Sequence, residues 1–375
     1  MINKGNYITA DCYADHFSSS YCFFKDNKTY NGKAGEEQVR KRTRNHNLSI
    51  KGIFKLGNRH KLSVGTEYIV DVLKSQTDNI AKEDAYTLAL FAQDEIKLLR
   101  NLQALIGVRY IYHENFKNHA TPNVALMYKP GKFNFRASYA AGFRTPTLSE
   151  LYATDIAKKN DRLTIGNLDL KSEKNNYFSL SAEYVHERFS VSVNAFYNNI
   201  RDMIDYNTIA TGDKAMEQYG HKEVRQRDNI AEAKVYGINV SANAYLGAGF
   251  NLSGGYTHLN TQDVELEQPI DKSIKNAYNI NAQWAHSWKI YRLNINLNGR
   301  INSKRFSKSY GYAPEYQLWN LNTRHSFNLK SVIIEPGCGM ENLFDYMDDR
   351  PYNSNYATLT PGRSFYISLS LKFKS

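Results

Sequence analysis

The sequence predicts an all-β fold, a transmembrane antiparallel β-barrel represented by about sixteen strands, and three observations predict it. The first is alternation. Near the end of the chain Phe365, Ile367, Leu369, Leu371 and Phe373 alternate with Tyr366, Ser368, Ser370 and Lys372, so one strand face is apolar and the other polar. The second is that the polar partners in such segments are small and uncharged more often than they are Lys or Glu, which suits a crowded wet interior. The third is that short and long connections alternate, with tight turns at one end of the strands and large loops at the other. A soluble sandwich with Greek-key crossings does not sort its loops in this way. The apolar face of residues 365–373 is therefore expected to look at lipid.

The elements follow in chain order. The chain begins in barrel-like sequence, and a polar stretch at about 25–44 reads as the first long loop. It contains the basic run Arg40-Lys-Arg-Thr-Arg44, read as part of that solvated loop. Gly57-Asn-Arg59 is a tight turn, 74–84 a loop, Leu99-Arg-Asn101 a turn, 113–118 a loop and Pro130-Gly-Lys132 a turn. Gly, Pro and Asn supply the backbone angles such reversals need. A loop at 142–172 comes next. Phe178, Leu180, Ala182 and Tyr184, then Phe189, Val191, Val193 and Ala195, form a hairpin about His186-Glu-Arg188. The loop at 207–230 leads to Tyr236, Ile238, Val240, Ala242 and Ala244, alternating with Gly237, Asn239, Ser241 and Asn243, and to the turn Gly247-Ala-Gly249. After the loop at 264–272 and the turn Ser287-Trp-Lys289, Tyr291, Leu293, Ile295 and Leu297 alternate with Arg292, Asn294, Asn296 and Asn298. A loop at 304–315, the turn Lys330-Ser331 and a loop at 346–361 precede the last strand. The spacing is irregular and no motif recurs, which ranks a solenoid or propeller well below the barrel.

Composition narrows the alternatives. Apolar residues are 42% of the 375 and the mean hydropathy is -0.59. No stretch approaches the ~18 to 20 uninterrupted apolar residues of a membrane helix. Aromatic residues are 13%, with 28 Tyr, and Tyr collects where one end of a side chain is dry and the other wet. A net charge of +11 and a pI near 9.2 permit an anionic surface or nucleic acid as partner. A soluble basic β-protein that binds nucleic acid is the runner-up fold; because the basic residues are scattered, no nucleic-acid partner is expected. Cys12, Cys22 and Cys338 have no zinc spacing and read as free thiols, buried or facing lipid; pairing of Cys12 with Cys22 would require their strand to bend back. There is no His-Glu-x-x-His, Gly-x-Ser-x-Gly or Gly-rich phosphate loop, so no enzyme, cofactor or metal site is expected. Asp345, Asp348 and Asp349 read as a solvated acidic turn rather than a calcium site. The N-terminus has no basic segment followed by an apolar one, which in an exported protein means that the start is missing.

Four segments carry a family resemblance. Phe135-Arg-Ala-Ser-Tyr-Ala-Ala-Gly-Phe-Arg-Thr-Pro-Thr-Leu-Ser-Glu-Leu-Tyr152 is followed by Gly166-Asn-Leu-Asp-Leu-Lys-Ser-Glu-Lys174. Phe91-Ala-Gln-Asp-Glu95 precedes Gly107-Val-Arg-Tyr110, and Glu341-Asn-Leu-Phe-Asp345 precedes Pro361-Gly-Arg-Ser-Phe365. In this order, over residues 85–375, they resemble the paired boxes, the hairpin and the ending of TonB-dependent outer-membrane receptors. The resemblance implies a barrel of about 22 strands with a plugged lumen, in the bacterial cell outer membrane. It also implies energy-coupled uptake of a scarce bulky nutrient, an iron-siderophore, cobalamin or haem, through a TonB-type complex. Residues 1–375 are then expected to be the C-terminal barrel portion, with plug, signal peptide and first strands missing. A passive outer-membrane pore is the alternative function. The box residues Phe143, Arg144, Pro146, Leu148, Glu150, Leu151, Tyr152, Gly166, Asn167 and Leu170 read as structural. Pro146 breaks the strand, Gly142 permits an unusual turn and Arg144 anchors the external loop. Tyr206, Tyr219, His221, Arg225 and Arg227, with Lys222, form a basic and aromatic cluster in an external loop. Arg and Tyr there suit an anionic, aromatic or metal-chelating ligand; the bland reading is a loop facing lipopolysaccharide. No His occurs from Phe143 to Leu170, where the resemblance implies one for haem receptors.

Overall fold

Segments of period two bounded by turn residues become strands. The computed structural model describes residues 5–28, 31–157, 160–230, 232–307, 311–348 and 360–374. In chain order the elements are β1 (Tyr7–Cys22), β2 (Glu37–Leu56), β3 (His60–Ser75), β4 (Ile80–Leu99), β5 (Leu102–His113), β6 (Lys117–Tyr128) and β7 (Phe133–Arg144). Then come α1 (Leu148–Tyr152), β8 (Thr154–Ala157), β9 (Arg162–Ile165), β10 (Glu173–Val185), β11 (Phe189–Arg201), β12 (Ile204–Thr211), α2 (Gly212–Tyr219) and β13 (Glu223–Asn229). The rest are β14 (Ala233–Gly247), β15 (Phe250–Asp263), β16 (Asn276–Trp288), β17 (Tyr291–Asn302), β18 (Arg305–Ser307), β19 (Gly311–Ala313), β20 (Tyr316–Asn328), β21 (Val332–Glu341) and β22 (Ser364–Phe373).

Sixteen of these form one sheet in the order β1-β2-β3-β4-β5-β6-β7-β10-β11-β14-β15-β16-β17-β20-β21-β22. Chain neighbours are sheet neighbours, and the order skips only the short strands within loops. Among the described residues no helix is long and apolar enough to cross a membrane. Strands can do so because a sheet pairs its backbone groups internally.

Several boundaries differ from expectation. β2 starts at Glu37, so Arg40 to Arg44 lie in a strand and not in a solvated loop. The expected loop at 74–84 shrinks to residues 76–79, between β3 and β4. β2 and β4 have 20 residues each, against the ~9 to 11 needed to span, so they run well past the apolar row. Gly142 lies within β7 and not in a turn. Its φ is not positive; a Cβ there would fall 2.3 Å from the Asn175 amide oxygen.

The chain divides into two units. One comprises residues 1–126, 138–177 and 199–232. Ile53, Ala89 and Ile111 are buried singly within its strands, and three clusters of buried apolar residues involve its loops: Leu73, Ile80, Ala85 and Leu148 form one, Leu151, Leu170 and Ile204 a second, and Ala210, Ala215 and Val224 a third. The other comprises residues 127–137, 178–198 and 233–375. There the register sets Ile295 beside Trp284 and Thr323, and Asn298 beside Asn281 and Asn320, so apolar and amide rows occupy opposite faces. Trp288 stacks on Tyr291 with centroids 5.5 Å apart, and Tyr291 packs on Phe327 at 5.0 Å, an aromatic row beside the tight turn of β16 and β17. The ladder of β20 and β21 passes from Arg324–Gly337 to Phe327–Ile334, skipping Pro336, which has no N–H to donate.

Cys12, Cys22 and Cys338 are free. Cys12 and Cys22 share β1, which is extended throughout; ten residues of strand separate them by ~33 Å, too far for a disulfide. Cys12 pairs across with Leu48 and Cys338 with Ile367, so both lie on the apolar face.

Candidate functional site: the braced external loop body

The strand β7 ends where Pro146 removes a donor, and α1 begins at once. Thr147 caps it: the Thr147 Oγ1 accepts from Glu150 N, and Glu150 accepts in return from Thr147 N, a capping box. Leu148 and Leu151 are buried by the helix, and Tyr152 packs between the first two apolar clusters. Arg144 holds this turn to the second box. Its Nη1 donates to Glu150 at 2.8 Å, while Nε and Nη2 donate to the two Glu173 oxygens at 2.8 and 2.6 Å. Glu173 also accepts from Ile204 N at 2.8 Å, which ties in the next loop. Burial pushes the Glu150 carboxyl up, but hydrogen bonds from Arg144 and Thr147 and the guanidinium charge outweigh it and hold it below the usual carboxylate range.

The second box is pressed against the first. Gly166 N donates to Ala153 O at 2.6 Å, and a Cβ on Gly166 would fall 2.4 Å from Leu151 O; only glycine permits this approach. Asn167 N donates to Glu150 O, and its side chain donates to Arg227 O at 2.9 Å. Leu170 is buried with Leu151 and Ile204. Phe143 stacks on His119 with centroids 4.4 Å apart. These contacts join Arg144, Glu150, Gly166, Asn167 and Leu170 into one loop body.

One brace carried no local signal. Asp78, in the turn between β3 and β4, accepts from Thr154 N through its carbonyl and from Ser149 Oγ through its carboxylate, and pairs with Lys41 at 3.5 Å. Its charge adds to burial in pushing the Asp155 carboxyl up. Ser149 lies 71 positions from Asp78 and Lys41 lies 37.

On these braces stands a small sheet in the order β12-β13-β9-β8. β13 is antiparallel to β12 and parallel to β9. Ala215 of α2, Val224 of β13 and Ala210 of β12 form its core, with Tyr219 packed against them, and Gly220 ends α2 in the left-handed region. Arg227 lies over the Tyr206 ring, 3.5 Å from its centroid, and donates to its hydroxyl at 2.7 Å. Arg225 pairs with Glu223. His221 pairs with Asp161 at 2.9 Å and holds that carboxyl below its usual range. Lys222 donates its backbone N–H to Asp161 O. The five residues singled out from sequence thus share one loop body, with Tyr219 in its core, Arg225 and His221 each paired to an acid, and Arg227 joined to Tyr206. Arg227 has no ion pair among the described residues.

In the other unit, the polar face carries Asn239, Ser241 and Asn243, and a cavity of about 640 Å³ is lined by Ser241, Asn243, Ser253, Asn281, Asn298 and Asn320. Thr257 donates to Asn239 at 2.9 Å and Ser192 meets Ser241 at 2.7 Å. Among the described residues no group of three or more His, Cys, Asp or Glu is placed to hold a metal. Asp345 instead accepts from Arg363 N at 2.6 Å, and Asp349 lies outside the described residues.

Comparison with known proteins places this arrangement. A family model described as TonB dependent receptor-like, beta-barrel matches residues 4–343. The chain is 24% identical over 335 residues to an iron-regulated outer membrane virulence protein of Vibrio cholerae, covering 84% of this chain and 49% of that one. It is 23% identical over 372 residues to a ferric enterobactin receptor of Pseudomonas aeruginosa, covering 85% and 49%. A crystal structure of a ferric enterobactin receptor mutant from that organism superposes with a TM-score of 0.79 at 18% identity, covering 98% of this chain and 59% of the other. The chain thus spans about half the length of these curated relatives.

Proposed function

The chain belongs to the TonB-dependent receptor β-barrel family, and from that premise we propose that it supplies barrel wall and external loops to an outer-membrane receptor for a scarce, bulky iron chelate. Uptake is driven through a TonB-type energy-coupling complex acting on the whole receptor. One observation supports the ligand class above others. The loop body is fixed to the strand ends by Arg144, and it presents Arg227 over Tyr206 with no acid partner among the described residues. A guanidinium on an aromatic face favours an anionic ligand with flat aromatic groups, by charge and by stacking. Ferric siderophores with aromatic chelating groups have that chemistry. Haem and cobalamin rank lower; His221, the histidine of this cluster, is engaged by Asp161.

The test is equilibrium binding to the detergent-solubilised chain, followed by quenching of tryptophan fluorescence. Ferric catecholate siderophore, haem and cyanocobalamin are the three probes. The ferric catecholate should saturate, and Arg227→Ala should weaken it about tenfold, the loss of an interaction of ~1 to 2 kcal/mol. Saturation by none of them, together with unselective solute passage through liposomes, would replace this reading by a passive pore.

A further inference from the structure

In the second unit, residues 127–137, 178–198 and 233–375, the tight turns carry a row of cations. Lys129-Pro-Gly-Lys132 joins β6 to β7, His186-Glu-Arg188 joins β10 to β11, and Gly247-Ala-Gly249 joins β14 to β15. Lys289-Ile290 joins β16 to β17, and Leu329-Lys-Ser331 joins β20 to β21. Together they hold the cations Lys129, Lys132, Arg188, Lys289 and Lys330 against the acid Glu187. These cations are exposed, and none of their side chains has a hydrogen bond or ion pair among the described residues. The strand acids next along the chain are engaged: Glu183 accepts from Asn134 at 2.8 Å, and Glu335 pairs with Lys372 at 2.6 Å. The loop at the other end of β15 and β16 mixes the signs, with Glu265, Glu267 and Asp271 beside Lys272 and Lys275. Unpaired positive charge therefore gathers at the turn edge.

The backbone fixes this row. Each turn has a carbonyl that accepts from the next strand along the sheet: Lys132 O from Val185 N at 2.9 Å, Arg188 O from Tyr245 N at 2.7 Å and Gly249 O from Ala285 N at 3.0 Å. Ile290 O accepts from Asn328 N at 2.7 Å and Ser331 O from Lys374 N at 3.0 Å. Strands ~4.8 Å apart set successive hairpins ~10 Å apart. At that interval, close to the Debye length of ~8 Å, the cations repel one another weakly yet sum to a potential that draws a polyanion. The rings of Trp288, Tyr291 and Phe327 sit where hydrocarbon gives way to headgroups, and the turns lie past them in water. Lipid headgroups move independently, so each meets a single cation. A polymer with anions at a similar interval meets several at once, and every contact after the first is intramolecular.

We propose that this turn edge docks the cell wall, an extended glycan whose disaccharide units match the hairpin interval and bear peptides with free carboxylates. The four lysines and Arg188 pair with those carboxylates, and the pinned turns keep the cations in step along the strand of sugar. The proposal lies apart from the receptor's ligand. It rests on the outer-membrane placement, which sets tight turns on the periplasmic side.

The experiment sediments the full chain, purified in non-ionic detergent, with increasing amounts of purified peptidoglycan sacculi. Parallel arms use sacculi with amidated carboxylates, chitin as an uncharged glycan, and mixed micelles of phosphatidylglycerol as competitor. Binding to native sacculi should saturate, weaken with salt, and exceed binding to amidated sacculi or chitin by at least about tenfold. Each exposed ion pair contributes about twofold, so Lys129→Gln, Lys132→Gln, Arg188→Gln, Lys289→Gln and Lys330→Gln together should cost roughly thirtyfold. Lys272→Gln with Lys275→Gln, at the loop end of the same unit, should change binding less than about twofold. Exchanging the four lysines for arginine and Arg188 for lysine should retain most of it, and gel migration before heating shows that each variant is folded. Undiminished binding by the five-site variant, equal binding to amidated sacculi, or no binding by the native chain would overturn the proposal. Displacement by phosphatidylglycerol at the concentration of wall carboxylates would show a surface for lipid headgroups instead. Membrane fractionation is scored separately: a chain found in the outer membrane that ignores sacculi sinks this surface alone.

Discussion

Arg144 is the residue on which the loop body turns, because one guanidinium serves Glu150, Glu173 and, through Glu173, the start of β12. The arginine side chain is 42% exposed while its partners are 12% and 15% exposed, so its loss is cheaper than that of a buried pair. Arg144→Ala should destabilise the loop body by about 1 to 2 kcal/mol, read as faster limited proteolysis within residues 145–230 with the strands left intact. The pH dependence follows from the depressed Glu150 carboxyl. Its contribution is complete above the unfolded carboxylate value of ~4.3 and is lost as pH falls through the lower folded value. Loop protection should therefore be unchanged from pH 8 to 5 and fail below about 4; protection unchanged at pH 3 would show that the ion pairs are not the brace. The box places Arg144 near Glu150 in the sequence, six positions away. The role of Asp78 was not legible, since Ser149 and Thr154, which it holds, are distant in sequence and have no periodic relation to it.

At the scale of the strand, the two faces make different demands. In β22 the apolar residues pair with their like: Phe373 with Val332, Leu371 with Ile334, Ile367 with Cys338 and Phe365 with Met340. On the other face Lys372 pairs with Glu335 at 2.6 Å. Leu369→Arg should impair membrane assembly, because Arg on a lipid face costs ~2 to 4 kcal/mol near the midplane. Ser368→Arg, on the polar face, should be much milder; equal losses of folded protein in the membrane would mean the faces are assigned wrongly. Alternation made these faces readable, because it depends only on a local period. The ends of β2 and β4 were less readable. Polar residues that mark a loop by composition also continue a strand once hairpin pairing satisfies their backbone, as Arg42 and Lys74 do across β2 and β3.

For the whole molecule, the family places the chain in the bacterial outer membrane. It should fractionate with that membrane and migrate faster on a gel before heating than after, as a folded sheet that resists detergent. Clean solubility without detergent would contradict that location. The same test separates it from a soluble basic β-protein, which +11 of net charge alone leaves open. The chain spans about half the length of the curated relatives it matches.

The sequence by itself determined the strands of the sixteen-stranded sheet, their order and their faces, but not the short strands β8, β9, β12, β13, β18 and β19 within the loops. Period-two alternation and turn residues act within a few positions, and a sheet built from successive hairpins needs little more. Tertiary structure decided where the apolar core lies and which charges remain available. Leu151 and Leu170 come from the connection between β7 and β10 and Ile204 from the one after β11, and they meet only when the two fold together. Arg225 and His221 find acids while Arg227 finds a tyrosine ring. Residue type alone left those partners undecided, because packing across distant segments chooses them.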